Sequence, residues 1–202
     1  MPVSDEQSAQ TQTLEQMRER ELLKIAMEER KARDLRRLGG LRAYEDFTAE
    51  KYANKAILAA MANFQKENYY LWGPAGVGKT HAAVAVARKV PSAYVVRMAD
   101  ISRHLRGCET PAEEGGAIRA YADTFMVLDD LGAEKMTEFL QNLLFEILDR
   151  RWQNKQGGLI ITANMSIDKL GSIIGDRTAS RIVGLVGARN ILEVRGKDWR
   201  LL

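Results

Sequence analysis

The residues best suited to chemistry lie in Gly73-Pro74-Ala75-Gly76-Val77-Gly78-Lys79-Thr80, which fits G-x-x-x-x-G-K-[ST], the phosphate-binding P-loop, without a mismatch. Glycines at this spacing let the backbone curl so that successive N–H groups face a β-phosphate. Lys79 has the reach for the β- and γ-phosphates, and the Thr80 hydroxyl suits a Mg²⁺ shell. Asp129-Asp130 follows the apolar run Phe125-Met126-Val127-Leu128, fifty residues after Lys79. A carboxylate delivered by a buried strand at that distance is the Walker B arrangement, with Asp129 on the metal's water shell and Asp130 polarising an attacking water. Asn164 closes another apolar run, Leu159–Ala163, and brings an amide to where a γ-phosphate would lie. Arg177 and Arg181 stand four residues apart; like charges so placed on one helical face repel, which points to an anionic target.

Positioning these groups takes alternating strands and helices. Tyr69–Trp72 reads as a buried strand feeding the P-loop, and His81–Lys89 as an Ala/Val-rich helix whose N-terminus faces the phosphates. A helix is expected over 48–65, and further strands over 93–98, 124–128, 159–163 and 190–195. Between them the sequence suggests a short helix over 99–106 and a loop through Pro111, Gly115 and Gly116. The long amphipathic helix over 134–153 has a core stripe of Met136, Phe139, Leu140, Leu143, Leu144, Ile147, Leu148 and Trp152. A turn and short helix over 167–171 precede the arginine-bearing segment. Arg97, Arg103, His104, Arg106 and Arg119 read by default as a solvated face, with a DNA-backbone surface as the rival.

Upstream, residues 1–12 are polar and expected to be disordered. Residues 13–38 contain no Gly or Pro and read as a charged helix with a loose apolar stripe, either a solvated arm or a docking helix. Gly39-Gly40 ends it. The chain therefore divides into a helical extension, 1–46, and a nucleotide-binding domain, 47–202.

The 202 residues carry a net charge of +3, with 46% apolar and 28% charged side chains. The extension holds nine basic and ten acidic residues, leaving 21 and 17 for the rest. That mild basic bias is compatible with a nucleic-acid partner without requiring one. No apolar run reaches 18 residues and the N-terminus has no signal-peptide core, so no membrane span is expected. The single cysteine, Cys108, forms no internal disulfide, which fits a cytoplasmic setting, and with two histidines it makes a structural zinc site implausible.

Gly78-Lys79-Thr80-His81, Asp129-Asp130-Leu131-Gly132, Thr162-Ala163-Asn164, the Gly-Asp-Arg-x-x-Ser-Arg of 175–181 and the terminal Asp198-Trp199-Arg200 together resemble the DnaC/DnaI/IstB group of AAA+ ATPases. The likeness covers about residues 47–202. It implies a five-stranded parallel sheet with helices on both faces, and a homo-oligomeric ring or spiral on DNA. The cofactors it implies are ATP and Mg²⁺, with 73–80 and His81 at the nucleotide and Thr80 and Asp129 at the metal. It makes Asn164 the sensor of the attacking water and Arg181 the arginine finger, with Arg177 as second candidate. Arg200 becomes the cis-acting sensor arginine. Two departures stand out: Ala163 replaces the usual Ser, and Asp130, as is usual in this group, replaces the Glu of most AAA+ proteins. The shorter acid implies slow, switch-like turnover. The N-terminal cysteine cluster of some loaders is missing, and the chain stops almost at Arg200, so no C-terminal lid is expected.

Two functions follow from that resemblance. One is a loader of the replicative DNA helicase on single-stranded DNA, favoured because a free docking helix over 13–38 suits helicase binding. The alternative is an IstB-type helper that clamps duplex DNA and recruits a transposase. An ATP-binding scaffold without hydrolysis conflicts with Asp129-Asp130 and the two arginines.

Overall fold

A computed structural model describes residues 17–18, 44, 46–90 and 92–198. The chain divides into two units, Met1–Arg37 and Leu38–Leu202. In the first, Met17 and Arg18 are helical and exposed; the rest of the helix expected over 13–38, like the Gly39-Gly40 pair expected to end it, lies outside the described residues.

The second unit is organised by a parallel sheet. Its strands are β1 (Tyr69–Trp72), β2 (Tyr94–Val96), β3 (Met126–Leu128), β4 (Leu159–Ala163) and β5 (Ile191–Glu193). They lie in the order β2-β3-β4-β1-β5, all parallel. Strands of parallel sheets are covered on both faces and need near-continuous apolar sequence, and β1 to β4 have it. Register sets Trp72 beside Ala163 and Leu128 beside Ile161, so the residues after β1, β3 and β4 emerge together at the carboxyl edge.

Seven helices accompany the strands in the described residues: α1 (Lys55–Ala60), α2 (Lys79–Ala87), α3 (Met98–Arg106), α4 (Pro111–Asp123), α5 (Glu138–Gln153), α6 (Ile167–Ile174) and α7 (Asp176–Val186). Helix α2 buries Lys79 and every residue from Ala82 to Ala87, because its Ala and Val side chains let it lie close against β3 and β4. The helix expected over 48–65 shrinks to α1. Asn54 caps it by accepting from the Ile57 N–H, and residues 61–66 break into turns that carry Met61 and Phe64 into the core. The loop expected across 111–116 is helical. Thr110 accepts from the Glu113 N–H at 3.2 Å, Pro111 occupies the first turn, and burial of Ala117, Ile118, Tyr121 and Ala122 outweighs the roughly 1 kcal/mol that each of Gly115 and Gly116 costs.

Helix α5 starts at Glu138 rather than 134, where Thr137 caps it. Leu140, Leu143, Leu144, Ile147 and Leu148 are core as expected, whereas Phe139 and Trp152 are each 45% exposed. Arg151 is fully buried. Its guanidinium donates to the carbonyls of Tyr121, Ala122, Thr124 and Gly157 at 2.8–3.1 Å, tying the end of α4 and the approaches to β3 and β4 onto α5. Burial pushes its pKa down to about 10.

Candidate nucleotide site at the carboxyl edge of the sheet

The chain leaves β1 at Trp72 and coils through the P-loop into α2. Three glycines are required by geometry; at Gly73, φ 150°, a Cβ would collide with the Val194 carbonyl oxygen. Gly78 caps α2 at φ 92°, with the Tyr52 ring so near that a Cβ would meet it at 2.9 Å. At Gly76, φ 79°, a Cβ would overlap the carboxylate of Asp198, so the segment after β5 runs against the loop.

Lys79 is buried at the head of α2, and its ammonium donates to Gly73 O (2.9 Å), Pro74 O (2.7 Å) and Asn164 Oδ1 (2.8 Å). Asn164 Nδ2 in turn donates to Asp130 Oδ1 at 2.8 Å. An ammonium only donates and a carboxylate only accepts, so the two partners fix the orientation of the amide. Alongside this chain runs a second one. The Thr80 and Thr162 hydroxyls both donate to Asp129 Oδ1 at 2.8 Å, and the Thr162 oxygen accepts from the Asp130 N–H, also at 2.8 Å. Asp130 has φ 56°, a left-handed conformation that costs a non-glycine residue about 1–2 kcal/mol. The Thr162 hydroxyl holds that turn and leaves the Asp130 carboxylate on Asn164.

This geometry has a chemical use. The P-loop supplies backbone N–H groups and one cation for a polyphosphate. Thr80 and Asp129 offer a hydroxyl and a carboxylate oxygen 2.8 Å apart at the mouth of the loop, the one or two protein ligands that Mg²⁺ takes when phosphates and water complete its octahedron. No cluster of three or more His, Cys, Asp or Glu exists among the described residues, so an all-protein metal cage has no candidate there.

His81 faces elsewhere. Its Nε2 donates to Thr48 O at 2.9 Å, and its ring stacks on Phe47 (centroids 4.8 Å apart, 14° between planes) and leans on Tyr52. Its contacts thus fasten the lead-in segment to α2, and none is with Lys79, Asp129 or Asp130. Burial raises the pKa of the Tyr52 phenol to about 12.

The arginines form a separate group. Arg181 pairs with Asp149 of α5 at 2.7 Å, and its guanidinium lies 5.1 Å from the Trp152 ring centre. The Arg177 guanidinium lies 3.7 Å over the ring of Phe145. Neither touches the P-loop or Asp129-Asp130. Arg200 falls outside the described residues. Lys79, Thr80, Asp129, Asp130 and Asn164 are thus brought together, with Arg177 and Arg181 apart from them. The sequence carries Thr162 within Thr-Ala-Asn with no role attached to it, and nothing in it marks Phe145 or Asp149. A hydroxyl inside an apolar strand was the available signal for Thr162; for the α5 residues nothing local marked the face that meets α7.

Comparison with known proteins adds three findings. The family model described as IstB-like ATP binding protein matches residues 3–202. The chain is 25% identical over 167 residues to an ATP-binding protein of insertion sequence IS5376 from Geobacillus stearothermophilus, covering 77% of this chain and 66% of that one. It is 27% identical over 168 residues to its counterpart of insertion sequence IS21 from Pseudomonas aeruginosa, covering 77% and 62%. The chain thus spans somewhat under two thirds of the length of these relatives. Among solved structures, the DnaC helicase loader superposes with a TM-score of 0.63 at 23% identity, over 76% of this chain and 99% of that chain, a likeness of fold.

Proposed function

This chain belongs to the IstB-like ATP-binding family, and from that premise we propose that it is a slow ATPase whose nucleotide state controls assembly on DNA during transposition. The observation that carries hydrolysis is the continuous chain Lys79–Asn164–Asp130. It joins the cation that would grip the γ-phosphate to the carboxylate that would polarise water, through an amide placed to orient that water. Mg²⁺ between Thr80 and Asp129 would offset the charge of the β- and γ-phosphates. The side chains do the rest: Lys79 and the loop amides bind, Asn164 orients, and Asp130 accepts a proton.

Arginine at the developing phosphate charge completes such a site, and here it would come from a neighbouring subunit. Arg177 and Arg181 are engaged with α5 and not with their own P-loop. Of the two, Arg177 is the better presented: it is exposed and makes no hydrogen bond or ion pair among the described residues, whereas Arg181 is committed to Asp149. Hydrolysis then depends on assembly.

Transposition is favoured over helicase loading by the relatives' insertion-sequence origin and by the reach of the family match. The N-terminal segment, which suited a helicase-docking helix, falls inside the match beginning at residue 3, so it no longer singles out a helicase. Loading keeps the support of the DnaC-like fold. ATPase assays of the full chain with duplex and with single-stranded DNA test the choice. Stimulation by duplex DNA, with a transposase recovered in pull-downs from the source cell, is expected. Stimulation by single strands alone, with a replicative helicase recovered, would replace this reading with the loader.

A further inference from the structure

Helices α5 and α7 meet along two matched stripes. Phe145, Asp149 and Trp152 recur at spacings of four and three on α5, and Arg177, Arg181 and Gly184 recur at the same spacings on α7. Each residue meets its counterpart. The Arg177 guanidinium covers the Phe145 ring at 3.7 Å, Arg181 pairs with Asp149, and Gly184 admits the Trp152 ring so closely that a Cβ would stand 3.0 Å from it. The lower two contacts fix α7 on α5, and the top one differs in kind. Arg177 gains no carboxylate there, only a flat aromatic face, and Phe145 is itself half-buried.

From this geometry we propose that Phe145 is a positioning residue for Arg177: its ring holds the guanidinium plane so that the N–H donors reach a neighbouring subunit's γ-phosphate already ordered. This rests on the trans-arginine reading above. An unsupported arginine surrenders much of its rotamer freedom when it binds. Stacked on Phe145, it has surrendered most of that beforehand, and the cation–π contact uses the faces of the guanidinium while leaving its in-plane donors uncommitted. A salt bridge such as that of Arg181 would occupy those donors. An aliphatic side chain at 145 would fill the space without offering the flat electron-rich surface.

The test uses two kinds of full-length subunit mixed on duplex DNA. Arg177→Ala subunits bind ATP but supply no arginine, and Lys79→Ala subunits supply the arginine but do not grip ATP. The mixture is expected to recover hydrolysis that neither has alone. Adding Phe145→Leu to the Lys79→Ala donor is expected to lower the recovered kcat about fivefold with the KM for ATP unchanged, while Phe145→Tyr recovers it in full. Phe145→Met, similar to Phe in reach but flexible and without a ring, runs in parallel with thermal unfolding of every donor, so a folding defect in one variant does not decide the outcome. No recovery with the plain donor overturns the trans arginine itself. Equal recovery with folded Phe145→Leu or Phe145→Met overturns the role of Phe145 and leaves the trans arginine standing. An equal loss with Phe145→Tyr also overturns it, since packing and not the aromatic face would then matter.

Discussion

At the carboxyl edge of the sheet, Lys79, Thr80, Asp129, Asp130 and Asn164 each hold one another within a single chain. On the outer face of α5 and α7, Arg177 is held by an aromatic ring alone and has no polar partner among the described residues. The first region is self-sufficient for gripping a polyphosphate, because its donors and acceptors converge. The second offers its donors outward: Arg177 packs its guanidinium on Phe145 and leaves its N–H groups uncommitted among the described residues, which is what the proposed trans role requires. On the reading proposed above, the difference amounts to a split site: one chain would supply the phosphate grip and the water-activating acid, and the next would supply the charge that speeds the reaction.

The largest effect tests whether the two regions share one foundation. Arg151 anchors the turn of α5 that carries Asp149 and Trp152, and it also ties down the approaches to β3 and β4. Arg151→Met removes a buried charge but leaves four carbonyls without their donor. A loss of about 3–5 kcal/mol is expected, lowering the unfolding temperature by roughly 10 °C in calorimetry. ATP binding and trans-donor activity should fail together as the temperature rises. Separate failure temperatures would mean that the regions are independent and that Arg151 does not couple them.

Much of the first region was legible because its signals are local. The P-loop, Asp129-Asp130 and Asn164 each sit within a few residues of the strand that delivers them, so pattern and placement coincide. The strands followed from the apolar runs, whereas their assembly into one parallel sheet was what the family resemblance implied. The α4 helix was missed because Gly115-Gly116 outweighed the capping signal of Thr110, Pro111 and Glu113; tertiary burial decided otherwise. Periodicity along α5 picked out an apolar stripe but could not say that Phe139 and Trp152 lie at its edge, half in solvent. Nor could it say that Phe145 and Asp149 face Arg177 and Arg181, a pairing between segments about thirty residues apart that only the packing angle creates. Buried Arg151 gave no hint in sequence either, since its partners are backbone carbonyls.

A middle-sized effect belongs to the phosphate end alone. Thr162→Val keeps the shape of the side chain but deletes the hydroxyl that serves Asp129 and the Asp130 N–H. One buried N–H and one carboxylate oxygen lose a partner, and the left-handed turn at Asp130 loses its brace. A cost of about 2 kcal/mol at the transition state gives roughly a thirtyfold fall in kcat, with ATP affinity changed less than about threefold; Thr162→Ser should stay near the parent. Steady-state ATPase assays with a parallel nucleotide-binding titration separate the two quantities. If affinity falls as far as kcat, Thr162 supports the grip and not the water-activating acid.

The smallest effect falls on the other region and bears on which arginine acts in trans. Asp149→Asn removes the charge opposite Arg181 while keeping a hydrogen-bond acceptor, and both partners are about three-quarters covered, at 27% and 25% side-chain exposure. Such a pair is worth on the order of 1 kcal/mol or less, so the unfolding temperature should drop by a few degrees, and the difference should shrink in about 1 M salt. ATP affinity should not move, because Asp149 makes no contact with the phosphate end. Its influence on the neighbour's hydrolysis is the discriminating quantity. With Arg177 as the trans arginine, a Lys79→Ala/Asp149→Asn donor should stimulate Arg177→Ala subunits within about twofold of the plain donor, since the Phe145 stack is untouched. Had Arg181 been the group that reaches across, freeing it from its carboxylate would change donor strength several-fold, because a guanidinium engaged with Asp149 must leave that partner before it can meet a phosphate. Arg181→Ala donors make the same distinction from the other side: near-normal donation keeps Arg181 as the fastener of α7 on α5, and loss of donation with an unchanged unfolding temperature moves the trans role to it.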